Sequence, residues 1–374
     1  MAKLTKSFSW KNPVILPVMR KMQRILVAPL NWGLGHATRC IPIIRELKAN
    51  GFDPVIASDG VALELLKTEF DDLEFVELPG YQVEYAKKPG YFKWKLLLNS
   101  PKMMKAVAKE RKLVKKLVKD LALDGIISDN RLGVYSKKVP SVFMTHQLNV
   151  LSGNTSAIST AIHQRYISKF DVCWVPDTAG EPNLSGVLGH PDRPLHDVRY
   201  LGPLSRLEKL ELPVKYDLFV LLSGPEPQRT LLEERLLDEL QDFAGQVLFV
   251  RGKIEARQTV MSKGHMKVYN FMNSEQLEVA FSKSSLALCR SGYTTIMDLA
   301  KLEKKAFFIP TPGQYEQEYL AKRLDEQGLV PFAAQDTFKV DMLNRVKDYK
   351  GLGGFNLDFD THGIFDVFAS FQSK

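Results

Sequence analysis

Cysteine is scarce in this chain: Cys40, Cys173 and Cys289 are three residues among 374, widely separated. That supply excludes a disulfide framework and a zinc-ligand set, and suits a reducing compartment. Long hydrophobic runs are lacking as well. No segment approaches the roughly 18–20 apolar residues that a membrane-spanning helix needs, so nothing in the sequence predicts a bilayer crossing. The first 21 residues hold only the short run 14–18, broken by prolines and without a small-residue cleavage site, and they predict neither a secretory signal nor a part of the fold. Met22 would serve equally as a start. Metal-binding patterns are rare too. The one Asp-x-Asp, Asp358-Phe359-Asp360, stands in the tail behind a glycine-rich stretch rather than after a central strand, so no metal is expected.

What is present is ordinary globular composition, 45% hydrophobic and 25% charged, in a length that calls for two domains. The net charge of +8 is unevenly placed. Residues 81–120 carry twelve Lys/Arg against Glu84, Glu110 and Asp120, which leaves the rest of the chain close to neutral. Tyr81, Tyr85, Tyr91, Phe92 and Trp94 precede or interleave with those lysines. This composition suits the headgroup level of an anionic membrane surface. It equally suits a solvated helix face with Met103, Val107, Val114, Leu117 and Leu121 turned inward. Nucleic acid is not expected, because the stretch has neither a GxxG loop nor an RNP-like strand.

Buried-type runs rich in Val, Ile, Leu and Phe at 25–30, 54–58, 73–78, 125–128, 141–144 and 172–175 alternate with helix-like segments. They predict a doubly wound parallel sheet. After a Pro/Gly-rich stretch and a boundary at 203–213, the pattern repeats at 217–222, 246–250, 267–269, 285–289 and 305–310. The fold class is therefore α/β, with two doubly wound Rossmann-like domains facing a cleft. The expected division is 1–21 as an extension, 22–205 and 206–350 as the domains, and 351–374 as a tail packing back on the first domain.

In such sheets ligands gather outside the carboxyl ends of the strands. The first of those ends carries Gly33-Leu34-Gly35-His36, opening a helix with Pro42 near its start: glycines for close approach, free N–H groups and an imidazole together. Thr38 stands where a dinucleotide fingerprint would want Gly or Ala, so nicotinamide binding loses ground. A tight turn with a solvated histidine is the plainer alternative. Ser128-Asp129-Asn130-Arg131 and Thr145-His146-Gln147 follow two other strands, and line the cleft or cap their loops. In the second half the strand ends are Ser223-Gly224, Arg251-Gly252, Arg290-Ser291-Gly292 and Thr311-Pro312-Gly313-Gln314. With Ser291 as a helix cap, Thr294 or Thr295 and Asp298 share its face. That arrangement would place a carboxylate for ribose hydroxyls two turns from N–H groups and Arg290 for phosphates. Gln314, Glu316 and Gln317 form a polar helix start that could read sugar hydroxyls, or only cap the helix.

Taken together, Gly33 to His36, Cys289 to Gly292, Asp298 and Glu316-Gln317 resemble the MurG-type inverting glycosyltransferases of the GT-B fold, glycosyltransferase family 28-like. The resemblance is collinear over about residues 24–335 and strongest over 268–330. It implies an acceptor-side first domain and a second domain that binds a UDP-sugar as co-substrate, with no other cofactor. It implies transfer to a lipid-linked or membrane-proximal acceptor, in the cytoplasm or on the inner face of the membrane. His36 would be the general base or an acceptor-positioning group, with Gly33, Gly35, Asp129, Asn130 and His146 on the acceptor side. Ser223 and Gly224 would meet the diphosphate, Arg290, Ser291 and Gly292 would hold phosphate, Phe271 and Met272 would lie beside the uracil, Asp298 would hold the ribose, and Glu316 with Gln317 the sugar, with Arg251 and Gln314 also on the donor side. Two departures stand out: the family's ribose carboxylate is Glu, and the first loop, Asn31-Trp32-Gly33, is bulkier than the family's glycine-rich one. A nucleotide-sugar hydrolase or epimerase, or a non-catalytic nucleotide-sugar binder, would use the same nucleotide residues.

Overall fold

A computed structural model describes residues 22–81, 101–193, 195, 197–255, 257–355, 359 and 363–369. Expectations for residues 1–21, for the aromatic and basic stretch 82–100, and for Asp358 and Asp360 lie outside the described residues.

The first sheet has seven strands in the order β3-β2-β1-β4-β5-β6-β7. They are β1 (Arg24–Pro29), β2 (Asp53–Ser58), β3 (Glu74–Glu77), β4 (Gly125–Asp129), β5 (Ser141–Met144), β6 (Val172–Val175) and β7 (Val198–Tyr200), paired in parallel throughout. The central strands are buried on both faces, which is why they read as unbroken apolar runs. Among the described residues four α-helices accompany them: α1 (Gly35–Ala49), α2 (Gly60–Glu69), α3 (Pro101–Asp120) and α4 (Ser156–Ile167). Helix α1 packs through Cys40, Ile41, Ile43, Ile44 and Leu47, all fully buried. Because α1 begins at Gly35, Pro42 stands in its interior rather than in the first turn, where a missing N–H would be harmless. The buried stripe on either side of Pro42 offsets that loss.

The second sheet has the order β10-β11-β9-β8-β12-β13. Its strands are β8 (Tyr216–Leu221), β9 (Val247–Val250), β10 (Val260–Lys263), β11 (Met266–Tyr269), β12 (Ser284–Cys289) and β13 (Ala306–Phe308), all parallel except β10, which runs antiparallel to β11. Helices α5 (Gln228–Glu239), α6 (Ser274–Ser282), α7 (Tyr293–Lys301) and α8 (Tyr315–Glu326) follow β8, β11, β12 and β13. Strand order reverses between β1 and β4 in the first sheet and between β8 and β12 in the second, so each sheet has one topological switch point.

A single apolar core runs through the junction. Leu201, Leu204 and Leu207 of the connecting segment are buried in the same cluster as Ile43 and Leu47 of α1 and Ile296 and Met297 of α7. The chain then returns to the first domain. In α9 (Asp366–Ala369) and just before it, Phe368 and Phe365 pack edge-on to Phe52 and against Trp174, and Arg199 donates to the Gly363 carbonyl.

Candidate functional site

The two switch points meet. Gly33 takes φ +74°, a left-handed turn that a side-chain-bearing residue rarely adopts, and hands the chain from β1 into α1. At the next glycine, the Gly35 carbonyl accepts from Thr294 Oγ1 at the start of α7, 3.1 Å away. A Cβ on Gly35 would sit 3.0 Å from Thr294 Oγ1, tighter than ordinary contact, so a side chain there would oblige Thr294 to shift by a few tenths of an ångström.

Behind this contact lies a buried charge cluster. Asp129, at the end of β4, has no exposure. Its Oδ1 lies 3.0 Å from His36 Nδ1, and its Oδ2 accepts from Arg39 Nε at 2.7 Å. Arg39 Nη2 donates to Asp129 Oδ1, and Cys40 Sγ lies 3.7 Å from Oδ2. Burial opposes ionisation of Asp129, but the charges of Arg39 and His36 and their hydrogen bonds outweigh it and hold its pKa down at about 2. Burial is also the largest influence on His36. It pushes the imidazole below its usual value, with Asp129 opposing and Arg39 adding to the fall. Among the described residues His36 Nε2 has no hydrogen-bond partner, it is not a fully buried nitrogen, and the side chain is 15% exposed. The imidazole thus has one nitrogen on the carboxylate and one open to a ligand.

His146, after β5, joins the cluster to the second domain. Its Nδ1 is 2.9 Å from Arg39 Nη1, and its Nε2 is 2.9 Å from Glu316 Oε1 in the first turn of α8. Gln147 Nε2 donates to the other Glu316 oxygen. The His146 ring stacks on Tyr293 at 4.2 Å and 5°, and Tyr293 donates to the Pro176 carbonyl at 2.7 Å. Further along α8, Tyr319 accepts from the Val187 N–H, and Arg323 donates to Asn183. Glu316, expected to read the sugar, is therefore engaged with the first domain here. Gln317 uses its Oε1 to accept the Thr311 N–H at 2.8 Å, and Gln314 is the N-cap residue of α8 without a capping side-chain bond.

Several expected donor residues are placed otherwise than the sequence suggested. Arg290 is 1% exposed and turns away from the strand end. Its guanidinium donates to the carbonyls of Ile309, Pro310 and Gln228 and to Gln335 Oε1. Burial lowers its pKa to about 9, which still leaves it cationic at neutral pH. Its donors are thus taken by three backbone carbonyls and one side-chain amide oxygen. Ser291 does not cap α7: Gly292 is the N-cap residue, and the buried Ser291 hydroxyl donates to the Gln317 carbonyl. Asp298 accepts from Ser205 in the connecting segment at 2.7 Å. Burial raises its carboxyl to about 6, with Arg206 and that hydrogen bond opposing the rise. Arg251 pairs with Glu233 at 2.6 Å, beside Arg229. Ser223 and Gly224 remain exposed in the loop after β8, with Gly224 at φ +105°. Phe271 and Met272 are half-buried before α6. In the first domain Asn130 is half-buried at φ +58° and bonds the Met144 carbonyl through its N–H, while Arg131 turns inward to Glu110 and Asp59.

Sequence reasoning passed over Arg39. It lies one turn after His36 on the same helix face, and a charged residue bordering a buried stripe was the available signal.

Residues 228–347 match the model of the glycosyltransferase family 28 C-terminal domain. Over 337 residues the chain is 24% identical to the UDP-N-acetylglucosamine--N-acetylmuramyl-(pentapeptide) pyrophosphoryl-undecaprenol N-acetylglucosamine transferase of Mannheimia succiniciproducens, covering 87% of this chain and 89% of that one. Its architecture is similar to that of the glycotransferase of kitacinnamycin, with a TM-score of 0.60, 14% identity and 94% of each chain covered. It is also similar to LpCGTa in complex with UDP, with a TM-score of 0.55, 12% identity and 93% of each chain covered. The two-domain GT-B arrangement expected from the sequence is the observed one. The second domain is of glycosyltransferase family 28 type, and the chain is a glycosyltransferase.

Proposed function

We propose that this glycosyltransferase moves a sugar, with inversion and without a bound metal ion, from a UDP-sugar to a hydroxyl of a lipid-linked acceptor. The observation that carries the reading is the buried Asp129 carboxylate behind His36, set directly against the start of α7 in the other domain. With Nδ1–H donated to Asp129, His36 Nε2 is a proton acceptor open to a ligand. It takes the proton of the acceptor hydroxyl as that oxygen attacks the anomeric carbon on the face away from the diphosphate. The bond to the diphosphate breaks in the same displacement, which inverts the anomeric centre. Charge developing on the UDP leaving group falls against free N–H groups at the start of α7 and in the Ser223-Gly224 loop. Phe271 and Met272 take the base, and Gln314 and Gln317 the sugar. Among the described residues no group of three or more His, Cys, Asp or Glu side chains is arranged to hold a metal ion.

Both substrate classes are named in the Mannheimia relative, a UDP-sugar donor and a pyrophosphoryl-undecaprenol acceptor. Among the described residues no helix is long and apolar enough to cross a membrane. Residues 81–120, with twelve Lys/Arg, would bring the enzyme to an anionic surface on the cytoplasmic face and so to a lipid-linked acceptor.

The test is incubation with UDP-, GDP- and CMP-sugars, without and with membrane lipid extract. UDP release that depends on the extract, and that falls by about 10²–10⁴-fold in His36→Ala, is the expected outcome. Release of equal size without any acceptor would assign the enzyme to hydrolysis, and full turnover by His36→Ala would remove the base assignment.

A further inference from the structure

We propose that Arg39 is a positioning residue of this enzyme, orienting His36 through Asp129 and tying that pair, through His146, to the closure of the second domain on the first. Its catalytic consequence rests on the reading of His36 as the proton acceptor; the positioning itself does not.

The argument begins with donor capacity. A guanidinium only donates, through five N–H bonds in a rigid plane. At Arg39, Nε and Nη2 serve the two oxygens of Asp129, Nη1 reaches His146 Nδ1 at 2.9 Å, and Nη2 lies 2.9 Å from His36 Nδ1. A buried carboxylate needs one counter-charge, and a two-point fork supplies it. The remaining donors are aimed at both imidazoles. Since Arg39 cannot accept, His146 Nδ1 must, so the His146 proton is on Nε2, where Glu316 Oε1 receives it. The tautomer that holds Glu316 to the first domain is thereby set by Arg39.

His36 is governed by the same group. Its Nδ1 lies between Arg39 Nη2, a donor, and Asp129 Oδ1, an acceptor, so it either donates to the carboxylate or accepts from the guanidinium. Only the first arrangement leaves Nε2 bare. By holding Asp129 on both oxygens, Arg39 fixes the carboxylate edge that Nδ1–H meets. The ionisable groups around His36 are Asp129 from β4, Arg39 and Cys40 from α1, His146 after β5 and Glu316 from α8. Among these, Arg39 is the fixed positive charge. A lysine would keep the charge and lose the fork.

The experiment uses the full chain with ¹⁵N-labelled histidine, whose ring shifts report tautomer and titration of His36 apart from turnover. The His36→Ala spectrum assigns the signal. In Arg39→Gln, His36 is expected to titrate about one pH unit higher, because a neighbouring positive charge is gone. The acid limb of kcat/KM should move with it, and kcat should fall about 10–100-fold. Arg39→Lys is expected to restore the titration but not kcat. Where Arg39→Gln fails to fold, the pair Arg39→Gln/Asp129→Asn removes both charges, and loss of the Nδ1–H preference is the expected signature. Unchanged His36 tautomer and titration in Arg39→Gln, or in the double variant where the single one does not fold, would overturn the proposal whatever the activity, as would a loss of turnover in Arg39→Lys matched by loss of folded protein. A shifted His36 titration with an unmoved acid limb would support the positioning while ending the reading of His36 as the base.

Discussion

Asp129 is out of contact with water and still ionised, because three neighbours on α1 face it. Its pKa is held at about 2, below the unfolded value of about 3.9, so its stabilising contribution is present above that unfolded value and is lost as pH falls towards 2. Asp129→Asn should lower stability at pH 7 by roughly 3–5 kcal/mol, since it leaves a buried Arg39 without its counter-charge. Urea unfolding across pH should show this gap intact from pH 7 down to about 5 and closing only below about 4. A gap of the same size at pH 3 would contradict the assignment. Arg290 teaches the opposite lesson. Its residue type and its place at a strand end suit phosphate, yet the carbonyls of Ile309, Pro310 and Gln228 lie closer and take its donors. Nothing in the local sequence tells which way a long side chain turns.

At the scale of elements, α3 has the inward apolar face and the outward lysines that the sequence offered for a solvated helix. Met103, Glu110, Val114, Leu117 and Val118 face inward, while Lys105, Lys109, Lys112, Lys115, Lys116 and Lys119 are exposed. Glu110 is held by Arg131 and Tyr81, which fixes the helix to the strand ends of the first sheet. Among the described residues the exposed lysines lie on one side of the helix, and the proposal is that this side meets an anionic surface. Cosedimentation with vesicles containing anionic lipid should retain the protein at low salt and lose it as salt rises, because exposed charges are screened beyond about 10 Å at 0.1 M. Reversing Lys109, Lys112 and Lys116 to Glu should abolish retention; retention that ignores both salt and those changes would remove the membrane role. Strand β10 shows a different limit. All four of its residues are exposed, so it has no buried face to impress an alternating pattern, and the sequence offered no strand there.

At the scale of the whole molecule, the domains are held by contacts from residues distant in sequence: Thr294 on Gly35, Glu316 on His146 and Gln147, and Arg323 on Asn183. Arg323 lies outside the cluster around His36, so it tests closure alone. Arg323→Ala removes two hydrogen bonds between the domains and an ion pair with Glu181. Small-angle scattering should then show a larger radius of gyration, with the far-ultraviolet circular dichroism unchanged and turnover reduced several-fold. A scattering curve identical to the wild type would show that the domains are held elsewhere.

The sequence by itself determined what depends on near neighbours along the chain. Buried parallel strands read as apolar runs, the glycine turn before α1 is local, and two repeats of one pattern imply two sheets whose strand ends carry the polar residues. Those properties gave the architecture, the positions of His36, Asp129 and His146, and the resemblance to a transferase family. Only the tertiary structure decided how those residues are spent. Asp129 and His36 are 93 positions apart and become a pair only through the parallel register of β1 with β4. Arg39 becomes a node because Asp129 at the end of β4, His146 after β5 and His36 one turn before it on α1 converge on one guanidinium, and Glu316 becomes a domain contact because α8 faces the segment after β5 across the junction. Hydrogen bonding and Coulomb attraction act over a few ångströms of space, and chain separation does not encode that distance.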